Sequence, residues 1–190
     1  MNKLIMGISF LLIFGFNGIL SSNSGNLNKN NKTSSPPQTV SEVDLNRYLG
    51  LWYEITKIPN RFQKKCFQDT TAEYKMRSDG RIDVINRCFT KEGKEVVARG
   101  IAKSVEPSTN SKLKVSFVRV LGAQLFWGDY WIIGLDKNYR YAVIGGPNRK
   151  YGWILSRRNS LSPEEWKEVK KILIDQGYDP NRFVLTPHTK

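Results

Sequence analysis

Between about residues 48 and 158, apolar and polar positions alternate with a period of two, in short runs divided by turn signals. The runs are Trp52–Ile58, Asp69–Arg77, Arg81–Phe89, Glu95–Val105, Lys112–Val120, Tyr130–Asp136, Tyr141–Gly145 and Gly152–Arg157. The dividers include Ser78-Asp79-Gly80, Lys91-Glu92-Gly93, Pro107-Ser108-Thr109-Asn110, Asp136-Lys137-Asn138 and Pro147-Asn148. Successive side chains on a strand point to opposite faces, so this alternation predicts half-buried strands, and the short connections predict antiparallel neighbours. An eight-stranded meander loses its edges by closing on itself, and a barrel of that size is about wide enough for one small ligand. The expected fold is all-β: an eight-stranded antiparallel up-and-down β-barrel with one C-terminal α-helix packed on its outside.

The alternation also separates the two faces of the wall. Ala72, Tyr74 and Met76 alternate with Thr71, Glu73, Lys75 and Arg77; Ile82 and Val84 with Arg81 and Asp83; Ala98, Gly100 and Ala102 with Arg99 and Lys103; Leu113, Val115 and Phe117 with Lys112, Lys114 and Ser116. The charged set belongs outside and the apolar set inside. Several inward positions are small, which leaves room in a barrel, although small residues also fill the taper of a solid one. Alternation and position together nominate Ala72, Tyr74, Val84, Ala98, Phe117, Tyr130 and Ile132 as a ligand-binding wall. Residues 120–129 would shape the mouth. After the barrel, Ser162, Pro163 and Glu165 form a capping box that opens a helix, and Gly177 ends it. Trp166, Val169, Ile172 and Leu173 make one apolar stripe, narrow enough to dock on a sheet. The run Arg182–Leu185 is a candidate for one further short strand.

Two distant stretches look made for each other. Gly50-Leu51-Trp52-Tyr53-Glu54-Ile55 is aromatic and strand-like, and Trp153-Ile154-Leu155-Ser156-Arg157 ends on a guanidinium. Arginine can lie flat on an indole and still donate to backbone carbonyls, so Arg157 over Trp52 would clasp the first strand to the last. Glu54 shares the inward phase of Trp52, which predicts a buried carboxylate with a partner near the closed end.

Upstream of this domain the composition changes. Lys3 and the apolar run Leu4–Leu20, followed by Ser21, Ser22 and Ser24, read as a signal peptide over 1–24, with an uncleaved anchor as the rival reading. Residues 25–43 are polar, with Pro36-Pro37, and read as a disordered linker before a domain at 44–190. No cysteine lies near residue 20, so no lipid-modified N-terminus is expected. The chain carries 30 Lys and Arg against 17 Asp and Glu, a formal net charge of +13. The excess is scattered, which reads first as a solvated basic surface and also suits peripheral contact with an anionic membrane. Nucleic acid is a poor fit, because the aromatics fall mostly in the inward phase instead of interleaving with lysines outside.

Two cysteines and one histidine narrow the chemistry further. Cys66 and Cys88 would sit near one end of a hairpin, and an even count in an exported chain favours one disulfide. The alternative is a reactive thiol, for which no activating histidine is at hand. His188 lies in a polar tail and reads as solvated. A Ser-His-Asp or Cys-His site needs a positioned imidazole, which a tail histidine does not offer, and a zinc hydrolase site usually needs two or three histidines. No metal, cofactor or catalytic residue is expected, and the chain is read as a monomer or weak dimer.

These residues resemble the lipocalin family, in the form it takes in bacterial outer-membrane lipocalins and apolipoprotein D. Gly50-Leu51-Trp52 resembles the first motif; Gly134-Leu135-Asp136 with Tyr141-Ala142-Val143 resembles the second; Trp153–Arg157 resembles the third. Leu135 and Lys137 depart from the second motif. The resemblance runs from about Asp44 to Thr186. It implies Gly50, Trp52, Asp136 and Arg157 as structural residues, and a cup, or calyx, that binds a small hydrophobic ligand such as a fatty acid or lysophospholipid. It also implies lipid transport or storage and membrane maintenance at the cell envelope. With no lipoprotein cysteine, the expected location is exported: periplasm or secreted, with association to the outer membrane as an option. The competing class is a lipid-modifying enzyme on the same barrel using a calyx cysteine.

Overall fold

The computed structural model describes residues 35–189. The expected signal peptide, and residues 25–34 of the expected linker, lie outside the described residues. The barrel wall is made of β1 (Gly50–Lys57), β2 (Gln68–Met76), β3 (Ile82–Phe89), β4 (Glu95–Ser104), β5 (Lys112–Ser116), β8 (Gly128–Leu135), β9 (Tyr141–Gly145) and β10 (Trp153–Ser156). Each pairs antiparallel with the next, and β10 returns to β1 through Tyr53 opposite Ser156 and Glu54 opposite Leu155. The result is the expected closed eight-stranded barrel. One helix, α2 (Pro163–Asp175), packs on its outside with the capping box formed as read from Ser162 and Glu165.

Three elements lie off that circuit. A one-turn helix, α1 (Leu45–Tyr48), capped by Asp44, leads into β1. Two short strands, β6 (Val118–Val120) and β7 (Ala123–Leu125), pair only with each other. The last strand, β11 (Val184–Leu185), adds to β1 at Lys57 and Thr56, as the run Arg182–Leu185 suggested.

Two cores sit back to back. Inside the barrel, Trp52, Ala72, Tyr74, Ile82, Val84, Ala102, Leu113, Ile132, Ala142, Ile144 and Leu155 pack together with Val43 and Tyr48. Outside it, Val169 and Leu173 of α2 bury against Ile55, Ile133, Val143 and Ile154. The helical stripe and the strand alternation thus meet through one wall, whose two faces are both apolar there.

Three expectations need correction. Residues 35–43, assigned to a disordered linker, are docked: the Val40 N–H donates to Ile132 O at 2.9 Å, that of Val43 to Thr109 O at 2.8 Å, and Val43 is 1% exposed. Average polarity hid two valines at a spacing that lets both reach the barrel. The run Lys112–Val120, read as one strand, breaks at Phe117. There β5 leaves β4 after Ser116 pairs with Ile101, and the chain folds into the separate β6–β7 ribbon. His188, read as solvated, has a side chain only 6% exposed. Its Nε2 lies 2.8 Å from Glu54 O, and its ring stands edge-on to Tyr53. Beyond Tyr53, where the β1–β2 pairing ends, the tail bridges the two strands: the Thr186 N–H donates to Ile55 O and the Asp69 N–H to Pro187 O.

Candidate ligand-binding site

Strand direction assigns the two ends. The first strand begins at Gly50 beside Arg157 and runs away from it, so the loops 77–81, 105–111 and 136–140 lie at the Arg157 end. The loops 58–67, 90–94, 117–127 and 146–152 lie at the opposite end.

The Arg157 end is shut. The guanidinium carbon stands 3.8 Å from the centre of the Trp52 ring. Its Nη1 donates to Leu51 O at 2.7 Å, and Nη2 to Arg47 O at 2.7 Å, Leu49 O at 2.9 Å and Tyr48 O at 3.2 Å. The fork satisfies carbonyls left over where α1 gives way to β1, a task a single ammonium cannot perform. Trp52, with no exposed surface, donates its Nε1–H to Tyr48 O at 2.8 Å. Gly50 has φ +91°, a region that L side chains rarely adopt, and a Cβ there would stand 3.5 Å from Arg157 Nη1. Asp136 organises a neighbouring loop: it accepts from the Asn138 and Arg140 N–H groups and takes the Arg140 guanidinium at 2.9 Å. Those bonds, Arg140 foremost, outweigh burial and hold its carboxyl below the usual aspartate range.

Above the clasp lies a polar floor. Tyr130 Oη is 2.7 Å from Tyr48 Oη and 2.9 Å from Tyr74 Oη. Burial pushes the Tyr74 phenol up to about 12 and raises those of Tyr48 and Tyr130 well above their ordinary value. Three hydroxyls joined by two bonds leave one of their three protons outside those bonds.

The inward residues grade from packed to open. Ile132, Val84, Tyr74 and Ala72, four of the seven nominated wall residues, are buried in the floor cluster, with Ile132 at 0%. Ala98, Phe117 and Tyr130 keep accessible surface. Strand phase alone does not say how deep a residue sits, so all seven were equivalent in the sequence. Pairing registers show what that reading missed. Asn86 lies between Ala72 and Ala98 in one inward row, and its buried Oδ1 has no partner. Val96, Val115 and Trp153 share the inward phase and are half-buried. Phe117 lies over Gly100, where a Cβ would come within 2.7 Å of its ring.

One loop at the open end is tied to the wall. Cys66, on the loop 58–67, is bonded to Cys88, so the expected disulfide is present and neither cysteine is free. Glu54 is buried and partnered, as expected, but the partners place it under this loop and not near the closed end. Lys57 Nζ donates to it at 2.6 Å, Gln63 Nε2 at 2.5 Å and Thr186 Oγ1 at 2.6 Å. Gln63 Oε1 in turn accepts from Trp153 Nε1 at 2.9 Å, so one network ties loop, wall and C-terminal tail. Among the described residues no group of His, Cys, Asp and Glu is arranged to hold a metal ion.

A closed barrel with one external helix, an arginine-sealed end and an open, partly apolar interior is the architecture of a lipocalin. The match is direct: a model described as a lipocalin-like domain covers residues 43–188, and the chain belongs to that family. It is 37% identical to temperature-induced lipocalin-1 of Arabidopsis thaliana over 155 residues, 80% of this chain and 83% of that one. It is 39% identical to the outer membrane lipoprotein Blc of Vibrio cholerae over 147 residues, 76% and 82% of the two chains. Apolipoprotein D of Mus musculus is 32% identical over 163 residues, 82% of each. Among solved structures, insecticyanin from the tobacco hornworm Manduca sexta superposes with a TM-score of 0.66 at 21% identity, covering 82% of this chain and 85% of that one.

Proposed function

We propose that the barrel is a non-catalytic carrier that holds one acyl chain, of a fatty acid or lysophospholipid, and serves lipid handling at the cell envelope in peripheral contact with anionic membrane. The observation that supports it is the graded interior: a packed, hydroxyl-bearing floor, then small and aromatic inward residues with accessible surface, then an open end with one disulfide-tied loop beside it. Membership of a family of small hydrophobic ligand binders, and the relatives named as outer membrane lipoprotein and apolipoprotein, point the same way. The location that follows is an exported protein, periplasmic or secreted, without a lipid-modified N-terminus. The rival enzyme reading required a reactive cysteine, and both cysteines are bonded to each other.

An acyl chain that buries about fifteen methylenes gains about 12 kcal/mol at about 0.8 each. An association cost at the low end, about 4 kcal/mol, leaves a dissociation constant near micromolar. The test is titration of the delipidated protein with a fluorescent fatty acid, alongside Ala98→Trp. Saturable binding of about that strength is expected in the parent, weakened tenfold or more when the indole fills the cup. A folded barrel that binds no acyl probe would sink the carrier reading.

A further inference from the structure

The ribbon β6–β7 is exposed along most of its length. Val118, Arg119, Val120 and Leu125 are all exposed, and only Gln124, opposite Arg119, is half-buried against the groove below. At its ends Leu121 is 102% exposed and Phe126 81%. Both are held at positive φ, +48° and +56°, where bulky residues rarely sit. Such strain persists where the surroundings demand it and clusters at functional positions. Folding alone does not account for two large apolar side chains held out in water at a backbone cost.

Under the ribbon is a groove of about 210 Å³ bordered by Arg77, Asp83, Arg99, Arg119 and Gln124. Arg77 is engaged by Asp79 and Asp83, but among the described residues neither Arg99 nor Arg119 lies within ion-pair distance of a carboxylate. The Gln124 Oε1 is buried without a partner. Nearby, Lys103 Nζ stands 4.5 Å from the centre of the Trp127 ring, and Trp127 follows Phe126 directly. Apolar points, an indole and unpaired guanidiniums side by side match the layering of a lipid leaflet: acyl core, interface and phosphate.

We infer that the β6–β7 ribbon is a docking surface for an anionic phospholipid bilayer, with Leu121 and Phe126 entering the acyl region and Arg99 and Arg119 taking lipid phosphates. Charge complementarity selects this occupant over a second copy of the chain, which would bring the same arginines of a +13 molecule together. The ribbon leaves the wall on the loop 117–127, and Arg77 on its groove comes from the Arg157 end, so the docked face is the side of the barrel beneath the ribbon. The docking names a surface for the membrane contact proposed above and rests on that part of the reading, while acyl-chain binding is independent of it.

The test places an environment-sensitive fluorophore on Leu121→Cys, made in the full chain, with Ile174→Cys on the exposed face of the helix as the control site. Vesicles of phosphatidylcholine are compared with vesicles containing phosphatidylglycerol. A blue shift at position 121 is expected on the anionic vesicles and none at 174. The double change Arg99→Ala and Arg119→Ala lowers the apparent partition coefficient about 25-fold, at about fivefold per arginine. Three results overturn the inference: no shift at 121, an equal shift on neutral vesicles that ignores the arginines, or a shift that needs only high protein concentration, which identifies a second copy as the occupant. An N-terminal anchor common to all variants does not mimic a shift that occurs at 121 and not at 174. Fatty-acid titration of the same labelled proteins without vesicles reports on the carrier reading separately.

Discussion

Replacing Arg157 by Met keeps an unbranched side chain over Trp52 but removes the guanidinium. Of the four carbonyls it serves, those of Arg47 and Leu51 are reached from solvent and regain water, while those of Tyr48 and Leu49 are partly buried. Two charge-assisted bonds to such carbonyls are together worth about 2 kcal/mol net, and the cation over the indole about 1 more. The expected loss is therefore about 3 kcal/mol, which for a domain of this size lowers Tm by about 6–12 °C. Urea unfolding followed by tryptophan fluorescence measures it. Arg157→Lys should recover less than half of the loss, because an ammonium cannot fork across the same carbonyls. Fatty-acid affinity, read well below the transition, should change by less than about threefold, since the clasp is at the end remote from the mouth. A loss under about 1 kcal/mol, or a collapse of affinity at full stability, would refute the assignment of Arg157 as a structural seal.

Asp136→Asn should cost about 2 kcal/mol at pH 7, because it removes the anion that Arg140 and two N–H groups address. The folded pKa of Asp136 is depressed below an unfolded value of about 3.9, so its contribution is present above about pH 4 and lost as pH falls through the folded value. Acid unfolding curves of parent and variant should accordingly converge below that range. The tyrosine floor gives the opposite sign: Tyr48, Tyr74 and Tyr130 have raised folded pKa values, so their contribution is intact below about pH 10 and declines as pH rises toward and beyond 12. In an absorbance titration at alkaline pH, these three of the eight tyrosines should ionise late, and Tyr130→Phe should cost about 1–3 kcal/mol by unpairing two buried hydroxyls.

Much of the wall is visible in local pattern. The alternation at Ala72, Tyr74, Ile82, Val84, Ala98 and Ala102 carries strand existence and face together, because the pleat allows only two directions. The clasp is legible for a different reason, since a guanidinium on an indole is a pairing with few alternatives. What local pattern lacks is depth and company. Ile132 and Ala98 have the same phase, yet one is sealed in the floor and the other is open, because depth depends on how far each strand pair has travelled from α1 and Arg157. Glu54 reads as inward, but its place under the loop 58–67 follows from Gln63 and Thr186, nine and 132 residues away. His188 reads as tail because nothing near it in sequence reveals the gap between the first two strands that it helps to close.

Alone, the sequence determined the all-β class, the order of strands, the inward face, the external helix, and the paired cysteines as a candidate bond. These are period-two and capping properties, set within a few residues. Tertiary structure decided where the cup is open, which carboxylate and histidine are buried together, that residues 35–43 dock, and that the ribbon after Phe117 holds Leu121 and Phe126 out in solvent. Each of those outcomes depends on contacts between residues far apart in the chain, and no local period encodes such contacts.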